Sequence, residues 1–288
     1  LESAGQLDNT YIFYTTDNGY HISQHRMDPG KACGYDTDIH IPFFVRGPGI
    51  PAGGSVDIVT THTDVAATIL KIAGMNKATD GASIPLSQPD NEALRHEHAT
   101  IEFWGLAVPE GIYGAIGTSE REAGEWTGRH HNNTYRGLRI VSPNYSLYYS
   151  VWCTGDVEFY DLASDPFQTQ NLMAHDKGHM GYRISGRPLD EILTRLNALI
   201  MVLKTCKGRE CTRPWESLHP DGRVTTLPDA LREKYDSFYQ QQPKMWFSEC
   251  AATYIAEAEN QEPIKPFGGD STTQKREFDW GRHWQYFT

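Results

Sequence analysis

Alternating and continuous apolar runs open the chain. "TYIFYTT" (10–16) reads as a buried strand, and a second strand is predicted around Ile41 to Val45 in "DIHIPFFVRGPGIPAGG", where Gly47, Pro48, Gly49 and Pro51 end it by turn chemistry. The period then changes to helical in "TDVAATILKIAG". Val65, Ile69 and Ile72 share one face, Thr63 or Asp64 caps the start, and Gly74 suits the left-handed position after the end. Leu1 to Leu7 reads as the last turns of a helix closed near Gly5. Helix to strand to turn to helix is the step of a parallel α/β unit.

From about His98 to Asp161 the alternation returns in "ATIEFW", "YRGLRIV", "YSLYYSVW" and "VEFYDL", broken by Gly, Pro and Asn. "PLDEILTRLNALIMVLKTC" is then predicted as a helix, with Leu189, Ile192, Leu193, Leu196, Leu199, Ile200 and Leu203 on one apolar face. A smaller antiparallel sheet packed on that helix makes an α+β subdomain behind a partial parallel-sheet α/β domain. The expected boundaries are 1–95, 96–227 and a carboxyl-terminal extension over 228–288. No internal repeat or low-complexity tract appears.

Composition narrows the classes. The chain has 288 residues, 39% of them hydrophobic, enough to bury a core. With 26 Lys+Arg against 37 Asp+Glu and no long basic run, nucleic acid is not the expected partner. The longest strongly apolar stretch, "LNALIMVL", is far short of the roughly 20 residues that cross a bilayer, so no membrane span is expected. "LESAGQLDNT" has no initiator Met, no basic n-region and no h-region; with the αβ step that follows, it predicts that earlier βα units lie upstream.

Candidate chemistry sits at the end of the first strand, in "DNGYHISQHRMDPGK". Ligands of α/β sheets bind beyond the carboxyl ends of strands, where Asp17 and Asn18 stand. Their hard oxygens suit Ca²⁺ or Mg²⁺ better than Zn²⁺, yet Asp-Asn-Gly is also a common tight turn. Taken singly, His21 and His25 read as surface or structural histidines and Lys31 as a solvated lysine.

The ordered set "YTTDNGYHISQHRMDPGK", "DTDIHIPFFVRGPGI", "THTDVAATILKIAG" and "DGASIPL" resembles the carboxyl-terminal half of a formylglycine-dependent sulfatase, most like the fungal arylsulfatases and N-acetylglucosamine-6-sulfatases. "NNTYRGLR", "VEFYDLASDPFQTQNL" and "LKTCKGRECTRPW" are similar to the family's carboxyl-terminal subdomain, and "KYDSFYQQQPKMWFSECAATYIAEAE" to the extension of its fungal members. The resemblance implies an alkaline-phosphatase-like sheet for 1–95 and a sulfate ester substrate, either an aryl sulfate or a sulfated amino sugar. It further implies that Asp17 and Asn18 are two ligands of one Ca²⁺, that Lys31 touches the sulfate in a catalytic and substrate-binding role, and that the protein enters the secretory pathway. His21 (catalytic) and His25 (substrate-binding) lie in the same loop, placed to line the pocket or pass a proton to the leaving group. A divalent cation and an ammonium aimed at the developing charge of a leaving sulfate stabilise its transition state.

One family feature is missing. The nucleophile is a formylglycine made from a Cys/Ser-x-Pro-x-Arg motif, and no such run occurs: Cys33, Cys153, Cys206, Cys211 and Cys250 lack it, and Ser87 in "SQPDN" lacks the Arg. The chain is therefore expected to act with an upstream part of the same protein and to be inactive alone. A noncatalytic binder of sulfated glycans and a metal-dependent phosphodiesterase stay open as alternatives, the second disfavoured by Asn18 standing where a two-zinc site wants His. Cys206 and Cys211 flank "KGRE", where Gly208 permits a tight reversal, and are expected to be joined. Asn132 in "NNT" and Asn144 in "NYS" are glycosylation acceptor sequons.

Overall fold

The computed structural model describes residues 1–75, 77–86, 96–108, 110, 131–174 and 181–268. Two short 3₁₀ turns, Glu2–Ala4 and Leu7–Asn9, stand where the end of a helix was expected, with Gly5 at φ 63° closing the first. Strand β1 (Ile12–Thr15) follows; a long excursion containing helix α1 (Asp36–Ile39) then leads to strand β2 (Phe43–Arg46), and helix α2 (His62–Ile72) comes after it. β1 and β2 pair antiparallel, with Phe13 opposite Val45 and Tyr14 opposite Phe44. The excursion between them folds back on itself and returns the chain alongside β1, which a parallel pair joined by a crossover on one face does not do.

α2 begins two to three residues earlier than the spacing suggested. Thr61 is the N-cap and Asp64 sits at N3, their side chains reciprocating in a capping box, while Gly74 takes φ 71° beyond the end. Its buried residues are Asp64 and Thr68, not the apolar stripe. Asp64 accepts from the backbone N–H of Ala82 at 2.7 Å, and Thr68 from that of Ile84 at 2.9 Å, so polar side chains tie the 81–84 segment to the helix.

The second region is built differently. β3 (His98–Phe103), β4 (Tyr135–Ser142), β5 (Tyr145–Trp152) and β6 (Val157–Asp161) form an antiparallel meander in chain order. A small hairpin, β7 (Arg183–Ile184) and β8 (Arg187–Pro188), leads into the fifteen-residue helix α3 (Leu189–Leu203). α3 packs its stripe on the sheet through Ile192, Leu196 and Leu199 against Leu138, Leu147, Tyr149 and Phe159. Four short helices follow, α4 (Arg209–Thr212), α5 (Pro214–Leu218), α6 (Leu227–Ala230) and α7 (Asp236–Gln240); α5, α6, α7 and the 3₁₀ turn Glu233–Tyr235 lay Trp215, Leu218, Leu227, Tyr235 and Tyr239 over the rest of the same core. α3 is therefore buried nearly all round, including Arg195, whose guanidinium donates to Asp236 and to the Ala230 carbonyl at 3.1 Å.

Buried Glu97 pins this cover to the sheet. Its carboxylate accepts from the Tyr145 hydroxyl, from Trp215 Nε1 at 3.0 Å and from the Leu227 N–H at 2.8 Å. Two disulfides add covalent ties: Cys206–Cys211, and Cys153–Cys250, which joins the end of β5 to the carboxyl-terminal segment. With 97 residues of separation, the second removes about 4–5 kcal/mol of loop entropy from the unfolded chain. Cys33 is free.

Candidate functional site

β1 delivers Asp17 and Asn18 to the surface at its carboxyl end. The chain only bends at Asp17, so "DNG" does not form a hairpin turn here. Gly19 is needed for a different reason. A Cβ there would lie 2.0 Å from the Thr37 carbonyl oxygen, because Gly19 and Tyr20 donate their N–H groups to the carbonyls of Asp38 and Thr37 at 2.7 and 2.9 Å. The segment after β1 thus lies flat against α1.

Asp17 is exposed and Asn18 half-buried. The hydrogen bond from its own backbone N–H, followed by that from the Thr16 hydroxyl, holds the Asp17 carboxyl below its ordinary value, and Lys31 adds a smaller pull in the same direction. Asn18 ties its Nδ2 to the Gly19 carbonyl at 2.5 Å, leaving the amide oxygen as the free end. A carboxylate next to an amide oxygen is a hard-oxygen donor pair, which fits Ca²⁺ as part of its six to eight ligands.

Lys31 reaches the same neighbourhood through an isolated bridge in which His21 and Gly30 exchange backbone hydrogen bonds at 2.9 and 3.0 Å. Its Nζ lies 3.6 Å from a carboxylate oxygen of Glu110, both side chains about two-fifths exposed. Glu110 is held over the loop by its N–H on the Pro29 carbonyl at 2.7 Å and by the Tyr20 hydroxyl on its own carbonyl at 3.2 Å. Sequence reasoning missed Glu110, which lies 79 positions from Lys31 and in no motif.

The two histidines part company. His21 is buried, and its Nδ1–H donates to both oxygens of buried Asp38, at 2.8 and 2.9 Å. His25 has φ 56° and stacks on Tyr35, ring centroids 3.9 Å apart. It is half-buried and within electrostatic reach of Asp165, so it faces the β6 side of the loop. Asn132 and Asn144 are both exposed, Asn144 in the β4–β5 turn.

The loop is fastened to the second region. Asp36 of α1 pairs with Arg139 of β4 at 2.9 Å, and its N–H donates to Gln168 Oε1 at 2.7 Å. Below it, Glu158 gathers the hydroxyls of Tyr35, Tyr160 and Ser150 and the Trp152 indole N–H.

Comparison with known proteins gives these residues a context. Residues 1–75 match the family model described as Sulfatase. The chain is 37% identical over 270 residues to Sulfatase ppz1 of Metarhizium majus (strain ARSEF 297), covering 93% of this chain and 53% of that protein. It is 34% identical over 273 residues to an arylsulfatase of Volvox carteri (87% and 38%), and 32% identical over 225 residues to the N-acetylglucosamine-6-sulfatase of Bos taurus (74% and 38%). The chain thus spans about half the length of the first of these relatives and less of the other two.

Proposed function

We propose, from the premise that the chain belongs to the sulfatase family, that it carries the cation-ligating and sulfate-contacting part of a sulfuric ester hydrolase. The observation that carries this reading is the loop itself: Asp17, with Asn18 beside it, and Lys31, fourteen positions further on, are within electrostatic reach of each other. Asp17 and Asn18 would hold Ca²⁺, which supplies a positive charge for the sulfate oxygens when bound. The Lys31 ammonium binds and orients the sulfate, and Glu110 keeps that ammonium in place until the more strongly charged anion displaces it. His25, stacked on Tyr35 on the β6 side of the loop, is the further candidate for contact with the substrate.

The formylglycine nucleophile belongs to residues outside this sequence, since none of its cysteines opens the required motif. Catalysis then needs the amino-terminal part of a sulfatase beside this chain, and the chain alone hydrolyses nothing. The names of the relatives support an aryl sulfate or a sulfated amino sugar as substrate. Two disulfides support a secretory route, since oxidising compartments keep such bonds. Exposed Asn132 and Asn144 are the glycan acceptors there, and a fall in intact mass on glycosidase treatment of eukaryotic material is the expected sign; an unchanged mass would count against them.

The test of the site is steady-state turnover of a chromogenic sulfate ester by the complete enzyme, with calcium content assayed. Lys31→Ala is expected to lower the rate roughly 10²-fold or more with the metal retained. Asp17→Ala is expected to lower it further and to lose calcium. Near wild-type rates in both would remove this loop from the active site.

A further inference from the structure

We propose that Asp38 and His21 form a buried positioning pair that sets the separation between the cation ligands at Asp17 and Asn18 and the sulfate-binding ammonium of Lys31. The inference rests on the reading of the site given above and adds two residues to it in a role that none of the motifs assigns.

Asp38 is 3% exposed, yet it is the most heavily used acceptor in the loop. Its side chain takes the His21 Nδ1–H on both oxygens, the Cys33 N–H at 3.0 Å and the Thr37 hydroxyl at 3.3 Å. Its main-chain carbonyl takes the Gly19 N–H at 2.7 Å. One residue therefore holds positions 19, 21 and 33, and His21 in turn holds Gly30 through the two-way backbone bridge. Asn18 directly precedes Gly19, and Lys31 directly follows Gly30. Both ends of the candidate site are thus one residue away from an atom fixed by this pair.

The pair is itself immobilised from the second region. Asp38 sits on α1, and α1 is anchored to the meander by the two-point Asp36–Arg139 ion pair and by Gln168. Side chains locked by burial and by secondary hydrogen bonds are what hold a site within the tolerance that chemistry needs.

Two other roles for these side chains fit the geometry less well. Proton transfer by His21 requires an open ring nitrogen, but Nδ1 is taken by Asp38 and Nε2 faces Gly30, where a Cβ would stand 3.3 Å from it. Ligation of a soft metal by His21, Cys33 and Asp38, whose ligand atoms lie within 4.8 Å of one another, requires a thiolate. Burial, then the charges of Asp38 and Glu158, push the Cys33 thiol up to about 12. The Asp38 oxygens are also already filled by N–H donors.

The experiment compares His21→Ala with His21→Asn in the complete enzyme, because the Asn amide can still donate to Asp38 but cannot titrate. Three quantities are read: the pH profile of kcat/KM, the calcium affinity, and hydrogen exchange at the amides of residues 19–21, 30 and 33. His21→Ala is expected to weaken calcium binding and kcat about 10- to 100-fold, and to lose amide protection in the loop while β4 and β5 keep theirs. His21→Asn is expected to recover most of all three, with the shape of the pH profile unchanged. An Asn variant as impaired as the Ala variant with loop protection intact, or an Ala variant with wild-type calcium affinity and protection, overturns the proposal. The exchange readout stands apart from catalysis. If Lys31→Ala and Asp17→Ala leave turnover untouched while His21→Ala still frees the loop amides, the positioning pair survives and the site reading fails.

Discussion

Helices α2 and α3 carry the same kind of apolar stripe and meet opposite fates. On α3, Ile192, Leu196 and Leu199 are 0% exposed; on α2, Ile69 and Ile72 are 53% and 40% exposed. The strands repeat the contrast. β4 and β5 bury Leu138, Ile140 and Leu147, whereas Tyr14 of β1 and Phe44 of β2, paired across the ribbon, are each about two-thirds exposed. Periodicity shows that a face is apolar; it does not show what covers it. For α3 the cover is encoded downstream, in Trp215, Leu218, Leu227 and Tyr239. For α2, among the described residues, nothing covers Ile69 and Ile72 in this way. The uncovered region is the one that matches the Sulfatase model.

The largest expected effect breaks this contrast if it fails. Leu196→Ala in the 288-residue chain is expected to cost about 2–5 kcal/mol in urea denaturation, through lost burial and a cavity. Ile69→Ala is expected to stay within about 0.5 kcal/mol, as for an exposed side chain. Equal losses would mean that the α2 stripe is covered after all. In the complete enzyme the Ile69→Ala loss should grow, which would locate the cover.

A smaller effect sharpens the comparison through pH. Burial pushes His219 down to about 4, its ring enclosed by Tyr235, Phe238, Tyr239 and Phe267, and burial followed by the charge of His96 pushes His98 down to about 3. Both folded values lie below the ordinary histidine value, so the unfolded chain takes up the protons first as the pH falls. Their contribution is whole above about pH 6.5 and drains away toward pH 4 and 3, at about 1.4 kcal/mol per pH unit for each. Glu97, raised by burial, works the other way, so the histidine slope is best read as a difference. His219→Gln keeps an acceptor for the Tyr239 hydroxyl and is expected to flatten stability between pH 6.5 and 4. An unchanged slope would remove His219 from the account.

The second region was more legible than the first. The four strands of the meander and the whole of α3 follow from alternation and helical spacing because each carries a long run of one period. The site loop was legible only as an ordered motif. Asp17, Asn18 and Lys31 become candidates only through their place in that motif, while Asp38 is one of two acidic residues in "DTDI", and nothing local marks it as the buried one. Glu110 and Arg139 meet the loop across 79 and 103 positions, by tertiary packing alone. Gly19 reads as a turn residue but serves a close backbone approach, a distinction that only the position of Thr37 reveals. The antiparallel direction of β1–β2 pairing is hidden in the same way, since the path of the excursion between them is not written in either strand.

The central claim is that a cation at Asp17 and Asn18 and the ammonium of Lys31 hold one sulfate together. Its most direct test is calorimetric binding of inorganic sulfate to the complete enzyme, with and without Ca²⁺, for wild type and Lys31→Ala. The account predicts that Ca²⁺ tightens sulfate binding to wild type, and that Lys31→Ala weakens it about tenfold or more, the loss of one charge-assisted contact. Sulfate affinity indifferent to both the cation and the lysine would contradict it.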